Sequence, residues 1–418
     1  MKDFIPIFKN KNFRYLWTSQ WTSQLTINMM NFLLLTQLFA RTGSSIATSF
    51  LWIAYSLPAL LVGPFAAATV DMTSRRWMLI LTNLLQSATI FIYALLQRSS
   101  LFLLFGTVFI YSLLNQFYVP AESASLPSVV PKEHLPHANS LFFLTQQGAL
   151  VLGFAISGVM AQFFGFEISL IVCAFFVFIA FVSVIFLPEM RPKERLPEKF
   201  EEAVVKFFKS ISGGYDFIKE HRQMLLPYII LIVLQISLSV MVVSLPVLAK
   251  DIFKINLNSA GVVMVVPAGI GAALGAIVLT KLIKTGWRKK TAIELFLTIL
   301  TLSLMMMIFV IPEINLALRI AASYLTLILA AAAGVGLMIA AQTYMQETTP
   351  EELRGRVFGN FWFITTALSV IPVIFSGTLV DILGIKTLLF LLAGVCLVGM
   401  VFSKKYGQQF LERSYNHK

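Results

Sequence analysis

Twelve runs of apolar residues, at 15–39, 47–70, 77–97, 101–121, 140–164, 167–187, 225–248, 259–282, 291–311, 317–344, 357–380 and 385–402, take up most of this chain. A helix that crosses a bilayer needs about 20 such residues with few charges. A backbone in hydrocarbon must also satisfy its own hydrogen bonds, so only helices and closed barrels can span. The alternation of a barrel strand is absent, and each run is therefore expected to be a transmembrane helix. Composition agrees: 12% of the 418 residues are charged, against about 25% in soluble domains. This excludes a soluble enzyme and a disordered chain.

The formal charge of +12 invites a nucleic-acid reading, but the positions of the basic residues argue against it. With the N-terminus placed in the cytoplasm, 26 of the 32 Lys and Arg fall on cytoplasmic segments. The other six are Arg41, Arg98, Lys250, Lys254, Arg319 and Lys386. This asymmetry is the positive-inside signal, and it sets both termini and the central loop in the cytoplasm. No nucleic-acid partner is expected. The basic start, with no short apolar stretch and small-residue cleavage site behind it, reads as an uncleaved anchor rather than a removed signal peptide.

Residues 188–224 form the longest polar connection and divide the chain into a six-span half at 1–187 and a second at 225–418 with a cytoplasmic tail. Within the connection, Val204, Phe207, Phe208 and Ile211 have the spacing of one helical face, which predicts a helix lying on the membrane surface. The halves repeat weakly: Val130-Pro131-Lys132-Glu133-His134-Leu135 follows the fourth span and Thr349-Pro350-Glu351-Glu352-Leu353-Arg354 follows the tenth. An all-α membrane protein of two pseudo-symmetric six-helix halves is the expected architecture.

The loop after the second span reads Gly63-Pro64-Phe65-Ala66-Ala67-Ala68-Thr69-Val70-Asp71-Met72-Thr73-Ser74-Arg75-Arg76. An acid at a helix end followed by paired arginines can bridge neighbouring helix termini in one conformation and release them in another, as a gate requires. A basic loop that only sets topology is the plainer alternative. This segment resembles the Gly-x-x-x-Asp-Arg-x-Gly-Arg-Arg signature of the major facilitator superfamily: Asp71, Arg75 and Arg76 match, while Ala67, Met72 and Ser74 depart from it. Pro120-Ala121 through Leu126-Pro127, Leu135 and Ala138-Asn139 resemble the macrolide-efflux-type branch, as do Gln346 and Leu353-Arg354-Gly355-Arg356-Val357-Phe358. Gly148, Gly153, Ser157 and Gly158 resemble the superfamily's exporter motif with its proline replaced by Phe154. Close helix packing alone would also explain these small residues. The resemblance covers nearly the whole chain. It implies a drug:proton antiporter-like exporter in a bacterial inner membrane, with two halves rocking about a midplane cavity and Asp71, Arg75, Arg76, Arg354 and Arg356 at the cytoplasmic gate.

Polar residues inside spans are costly and usually face a cavity or a partner helix. In the first span Gln20, Gln24, Asn28 and Asn31 share one face, flanked by Trp17 and Trp21. Asn115 and Gln116, Gln146 and Gln147, Gln235, Tyr324, and Trp362 with Thr365 and Thr366 sit in later spans. A cavity of amides and aromatics suits a weakly charged amphipathic organic molecule. The expected ligand contacts are Gln20, Gln24, Asn28, Asn31, Asn115, Gln146, Gln235, Tyr324, Trp362 and Thr366, with interhelical bonding as the alternative for each.

On these span boundaries all 20 acids fall in loops or near helix ends. Related exporters carry an acid in the first span, where this chain has Ile27, and an arginine in the fourth, where it has Tyr111. The family implies a proton as coupling ion, and Glu122 and Glu294 are the candidate carriers near the cytoplasmic mouth. A phosphate loop of the Gly-x-x-x-x-Gly-Lys-Ser/Thr type is absent, so ATP hydrolysis by that device is not expected. His134 and His137 have metal-pair spacing without further ligands nearby. Cys173 and Cys396 lie in apolar runs and read as buried thiols. No cofactor and no metal are expected, and the chain reads as a monomer. The rival readings are a lysophospholipid or siderophore exporter or flippase of the same fold, a membrane acyl or prenyl transferase, and a non-transporting sensor or scaffold.

Overall fold

The computed structural model describes residues 5–97, 100–190, 200–221, 224–285, 287 and 289–411. Among these residues every regular element is helical. The first half consists of α1 (Ile5–Lys9), α2 (Lys11–Thr42), α3 (Ser45–Met72), α4 (Arg75–Leu96), α5 (Leu101–Val129) and α6 (Leu135–Ile185). Helix α7 (Phe200–Glu220) covers the region predicted as a surface helix. Of the four residues behind that expectation, Val204, Phe207 and Ile211 have side chains outside the description, and Phe208 is exposed. The second half holds α8 (Leu225–Val243), α9 (Leu245–Val247), α10 (Val266–Lys284), α11 (Lys289–Phe309), α12 (Leu316–Thr348), α13 (Glu351–Leu383) and α14 (Ile385–Leu411).

Among the described residues nine helices are long and apolar enough to cross a membrane, or ten if the pair 227–243 and 245–252, bent by 55° at Ser244, is taken as one span. Helix α6 holds two of the expected spans in one. Gly165 breaks it with φ 81 and ψ 169, a conformation essentially reserved for glycine. Helix α2 is long enough at 32 residues, but its amides dilute its hydropathy. With α6 counted as two spans and α2 included, the helices account for the twelve runs read from the sequence.

The chain separates into two compact units, residues 1–41 with 51–208 and residues 42–50 with 209–418. In the first, α4 lies between α5 and α6. Helix α2 crosses α6 closely, where a Cβ on Gly153 would stand 2.7 Å from the Cβ of Asn28. Lipid offers no hydrophobic drive for helices to associate, so packing and interhelical hydrogen bonds carry the load. Thr26 donates to the carbonyl of Cys173 (3.3 Å) and Ser87 to that of Ala174 (2.8 Å), pinning α2 and α4 to the same turn of α6. The second unit pairs α10 with α12, α11 with α12 and α14, and α8 with α12 and α13. Gly271 and Gly275 of α10 sit directly on the backbone of Ile328 and Ala332, leaving no room for a side chain. Cys173 belongs to the first unit and Cys396 to the second; both are free and buried.

Several helices run past the expected boundaries, α5 and α13 among them. The fourth run ends at residue 121, whereas α5 continues through Pro120 and Pro127 to Val129. This places Glu122 inside a helix and not in a loop. The eleventh run ends at residue 380, whereas α13 extends to Leu383 and takes in Asp381.

Candidate functional site

The amide stripe of α2 runs along its seam with α6. The Gln20 side chain is buried and its Nε2 donates to the carbonyl of Phe142 (3.0 Å). Trp17 Nε1 donates to Thr145 Oγ1 (2.9 Å), and Asn28 is pressed on Gly153 while its Nδ2 caps the Gln24 carbonyl (2.8 Å). Gln20 and Asn28 therefore serve the α2–α6 contact. Gln24 and Asn31 are partly exposed on the same face, beside the stacked rings of Trp17 and Trp21 (6.5 Å). Asn115 of α5 is partly exposed and Gln146 of α6 is exposed.

In the second unit Gln235 on α8 is partly exposed, Tyr324 on α12 is 37% exposed and Trp362 on α13 is 51% exposed. Thr366 donates to the Trp362 carbonyl one turn back (2.8 Å). Beneath Trp362 the helix is fixed by Tyr228, whose hydroxyl donates to Asn360 Oδ1 (2.6 Å) and whose ring meets Phe361 edge-on.

Of the arginines expected at the gate, Arg75, Arg76 and Arg354 bond backbone carbonyls within their own unit. At the start of α4, Arg75 Nη1 donates to the Ala124 carbonyl (2.9 Å) and Ser128 Oγ (3.3 Å), near the end of α5. Arg76 Nη2 donates to the Ile185 carbonyl, the last residue of α6 (2.6 Å). The Arg75 amide donates to the carbonyl of Met190, so the segment leaving α6 caps α4. Arg354 repeats the device in the second unit, its Nε donating to the Gln346 and Thr349 carbonyls at the end of α12. A guanidinium is well matched to such positions, because the unpaired carbonyls at a helix C-terminus carry partial negative charge. Arg356 is exposed near Gly213 of α7. The side chain of Asp71 lies outside the described residues.

The two candidate carriers differ sharply. Glu294 of α11 is partly exposed and accepts a long bond from Ser403 of α14 (3.5 Å). Glu122 of α5 is 5% exposed and accepts from the hydroxyl of Tyr118, one turn earlier (2.7 Å).

A profile of the Major Facilitator Superfamily matches residues 16–371. The chain belongs to this superfamily. It is a multi-pass membrane transporter, and a small molecule is its substrate. An uncharacterized superfamily transporter of Bacillus subtilis strain 168, YfiS, is 26% identical over 409 residues, covering 95% of this chain and 93% of its own length. A second from the same organism, YkuC, is 25% identical over 221 residues, covering 52% of this chain and 50% of its own. The fold matches a mutant of the nucleoside transporter NupG at TM-score 0.74 and 13% identity, covering 93% of this chain and 99% of that one. It also matches a POT family transporter in complex with 5-aminolevulinic acid at TM-score 0.73 and 12% identity, covering 95% and 96%. At these identities the solved structures speak for the superfamily fold and not for a substrate.

One feature of this superfamily member escaped the sequence reading. Asp381, at the end of α13, accepts from Ser44 Oγ (2.7 Å), the Ser45 amide (2.7 Å) and the Ile46 amide (3.1 Å). It thereby caps the first turn of α3 from another helix, a task usually done by the residue just before the helix. One and two turns back on α13, Gly377 lies against Ser45 and Ser49, and Ser49 Oγ donates to the Val373 carbonyl (2.9 Å). Residues 42–50 belong to the second unit through these contacts. The only trace in the sequence was the run of small residues Gly43-Ser44-Ser45 facing an acid more than 300 positions away.

Proposed function

We propose that this transporter is a secondary active exporter of amphipathic small organic molecules, of the drug or macrolide type, working by alternating access in a bacterial cytoplasmic membrane with both termini inside. The observation that carries the reading is the character of the polar side chains left partly open within the spans. Gln24, Asn31, Asn115, Gln146, Gln235, Tyr324 and Trp362 are amides and aromatics, and none carries a charge. Such a set suits substrates recognised by stacking and adaptable hydrogen bonds. A phospholipid headgroup or a catecholate asks for a buried cation, and among the described residues no Lys, Arg or His is buried. Energy is supplied by an ion gradient, with the proton as coupling ion. Asp71, Arg75, Arg76, Arg354 and Arg356 form the cytoplasmic gate.

The test is transport by purified protein in proteoliposomes, with a panel of fluorescent amphipathic dyes and macrolides under an imposed pH gradient. Movement that collapses with an uncoupler is the expected result. If folded protein moves none of them while a lysophospholipid or siderophore panel is transported, the substrate class is wrong.

A further inference from the structure

Among the described residues Glu122 is the one acidic or basic side chain that is buried. Among the described residues its one hydrogen-bond partner is Tyr118, and the chain of contacts does not stop there. Tyr118 Oη lies 3.3 Å from Ser19 Oγ on α2. Ser19 Oγ accepts from Asn83 Nδ2 on α4 (3.2 Å), and Asn83 Oδ1 accepts from Ser23 Oγ on α2 (3.3 Å). Because Tyr118 spends its one proton on the carboxyl group, Ser19 must donate to Tyr118. The donors from Asn83 onward therefore run in one direction and end on Glu122.

Among the described residues no counter-charge pairs with this group. The core shared by this end of the unit is apolar, with Ala121 and Leu126 from α5, Phe13 and Leu16 from α2, Leu79 from α4, Ala138 from α6, Val70 from α3 and Ile7 from α1. Ionisable groups on the elements around it include Lys9 of α1, Lys11, Arg14 and Tyr15 of α2, Arg75 and Arg76 of α4 and His137 of α6. Tyr15 packs on Phe186, Arg75 bonds α5 at Ala124 and Ser128, and Arg76 bonds the Ile185 carbonyl; among the described residues only Tyr118 bonds Glu122. Charge placed in an apolar interior without a partner is costly, and a bound proton removes that cost.

We propose that Glu122 is the proton-binding site of this transporter, with Tyr118, Ser19 and Asn83 as the positioning residues that tie its proton to the packing of α5 against α2 and α4. This deepens the proposed function and rests on its ion-coupled reading. Tyr118 and Ser19 carry hydroxyls, which can both donate and accept. With Glu122 ionised the chain delivers donors to it. When a proton binds one carboxylate oxygen, the acid O–H donates to Tyr118 Oη, and the Tyr118 O–H turns toward Ser19 Oγ. The proton count rises by one, no bond other than O–H forms, and the polarity of the links between α5 and α2 reverses. A metal cation is a poorer occupant: it needs about six oxygen ligands, and the group here presents one carboxyl.

Infrared difference spectra of the purified full-length protein, titrated across acid and alkaline pH, test the site without any substrate. The wild type is expected to show a protonated-carboxyl band that disappears on titration. The band is lost in Glu122→Gln and shifted in Tyr118→Phe, which removes its hydrogen-bond partner. Persistence of the band in folded Glu122→Gln, an unmoved band in Tyr118→Phe, or no titrating band in the wild type overturns the proposal. Should Glu122→Gln fail to fold, Tyr118→Phe decides. In dye-loaded proteoliposomes the flux through Glu122→Gln is expected no longer to respond to an imposed pH gradient, while sodium has no effect on wild type or variant. A wild type that moves no dye yet keeps the infrared signature refutes the exporter reading alone.

Discussion

Asp381 gathers three donors from the first turn of α3, two of them backbone amides with no partner inside their own helix. Replacing it with alanine should cost about 1–2 kcal/mol, the usual range for a lost helix cap. Asp381→Asn keeps an acceptor oxygen and should lose less; the two melting points, followed by tryptophan fluorescence, give the ranking. Among the ligand candidates, Gln24→Ala should weaken equilibrium binding of a transported dye several-fold. Gln20→Ala should instead lower stability, because its amide bonds the Phe142 carbonyl of α6. Equal effects on binding from both would mean that the stripe acts as a unit. The sequence identified these amides, since polar atoms in spans stand out, but it could not divide the face between a partner helix and open space. That division depends on Gly153 lying opposite Asn28, a contact across 125 residues.

At the scale of helices, the α10–α12 contact gives the cleanest contrast. Gly275 lies on the backbone of Ala332, whereas Gly334, on the opposing helix, has open space where a Cβ would go. Gly275→Ala should destabilise by about 1–3 kcal/mol through overpacking. Gly334→Ala should be neutral or stabilising by up to about 1 kcal/mol, since alanine is the better helix former. Monodispersity after heating distinguishes the pair. Helix existence was legible from apolar run length for nearly every span. Helix ends were less so, and the prolines explain why. Pro120 and Pro127 look like terminators of the fourth run, yet in α5 both are interior. Neighbouring helices and side-chain hydroxyls can satisfy the carbonyls that a proline frees in a membrane helix. The misjudged end left Glu122 a candidate at the mouth and hid only its i, i+4 relation to Tyr118 on one helical face.

For the whole molecule, the distribution of 26 basic residues against six makes an orientation testable. With both native cysteines replaced by alanine, a cysteine at exposed Lys132 should react with an impermeant maleimide only after lysis. One at exposed Asn256 should react in intact cells. The reverse pattern would invert the topology and move the proposed gate to the outer face. The central polar connection led to the expectation of halves at 1–187 and 225–418, and the transfer of residues 42–50 to the second unit was no part of it. It follows from Asp381 and Gly377, which hydropathy does not register. The two buried thiols supply a further handle. Each unit contains a single buried cysteine thiol, Cys173 in one and Cys396 in the other. Mutants that retain one or the other would let a thiol-reactive fluorophore record which half melts first, turning an incidental pair of residues into a built-in thermometer for each half.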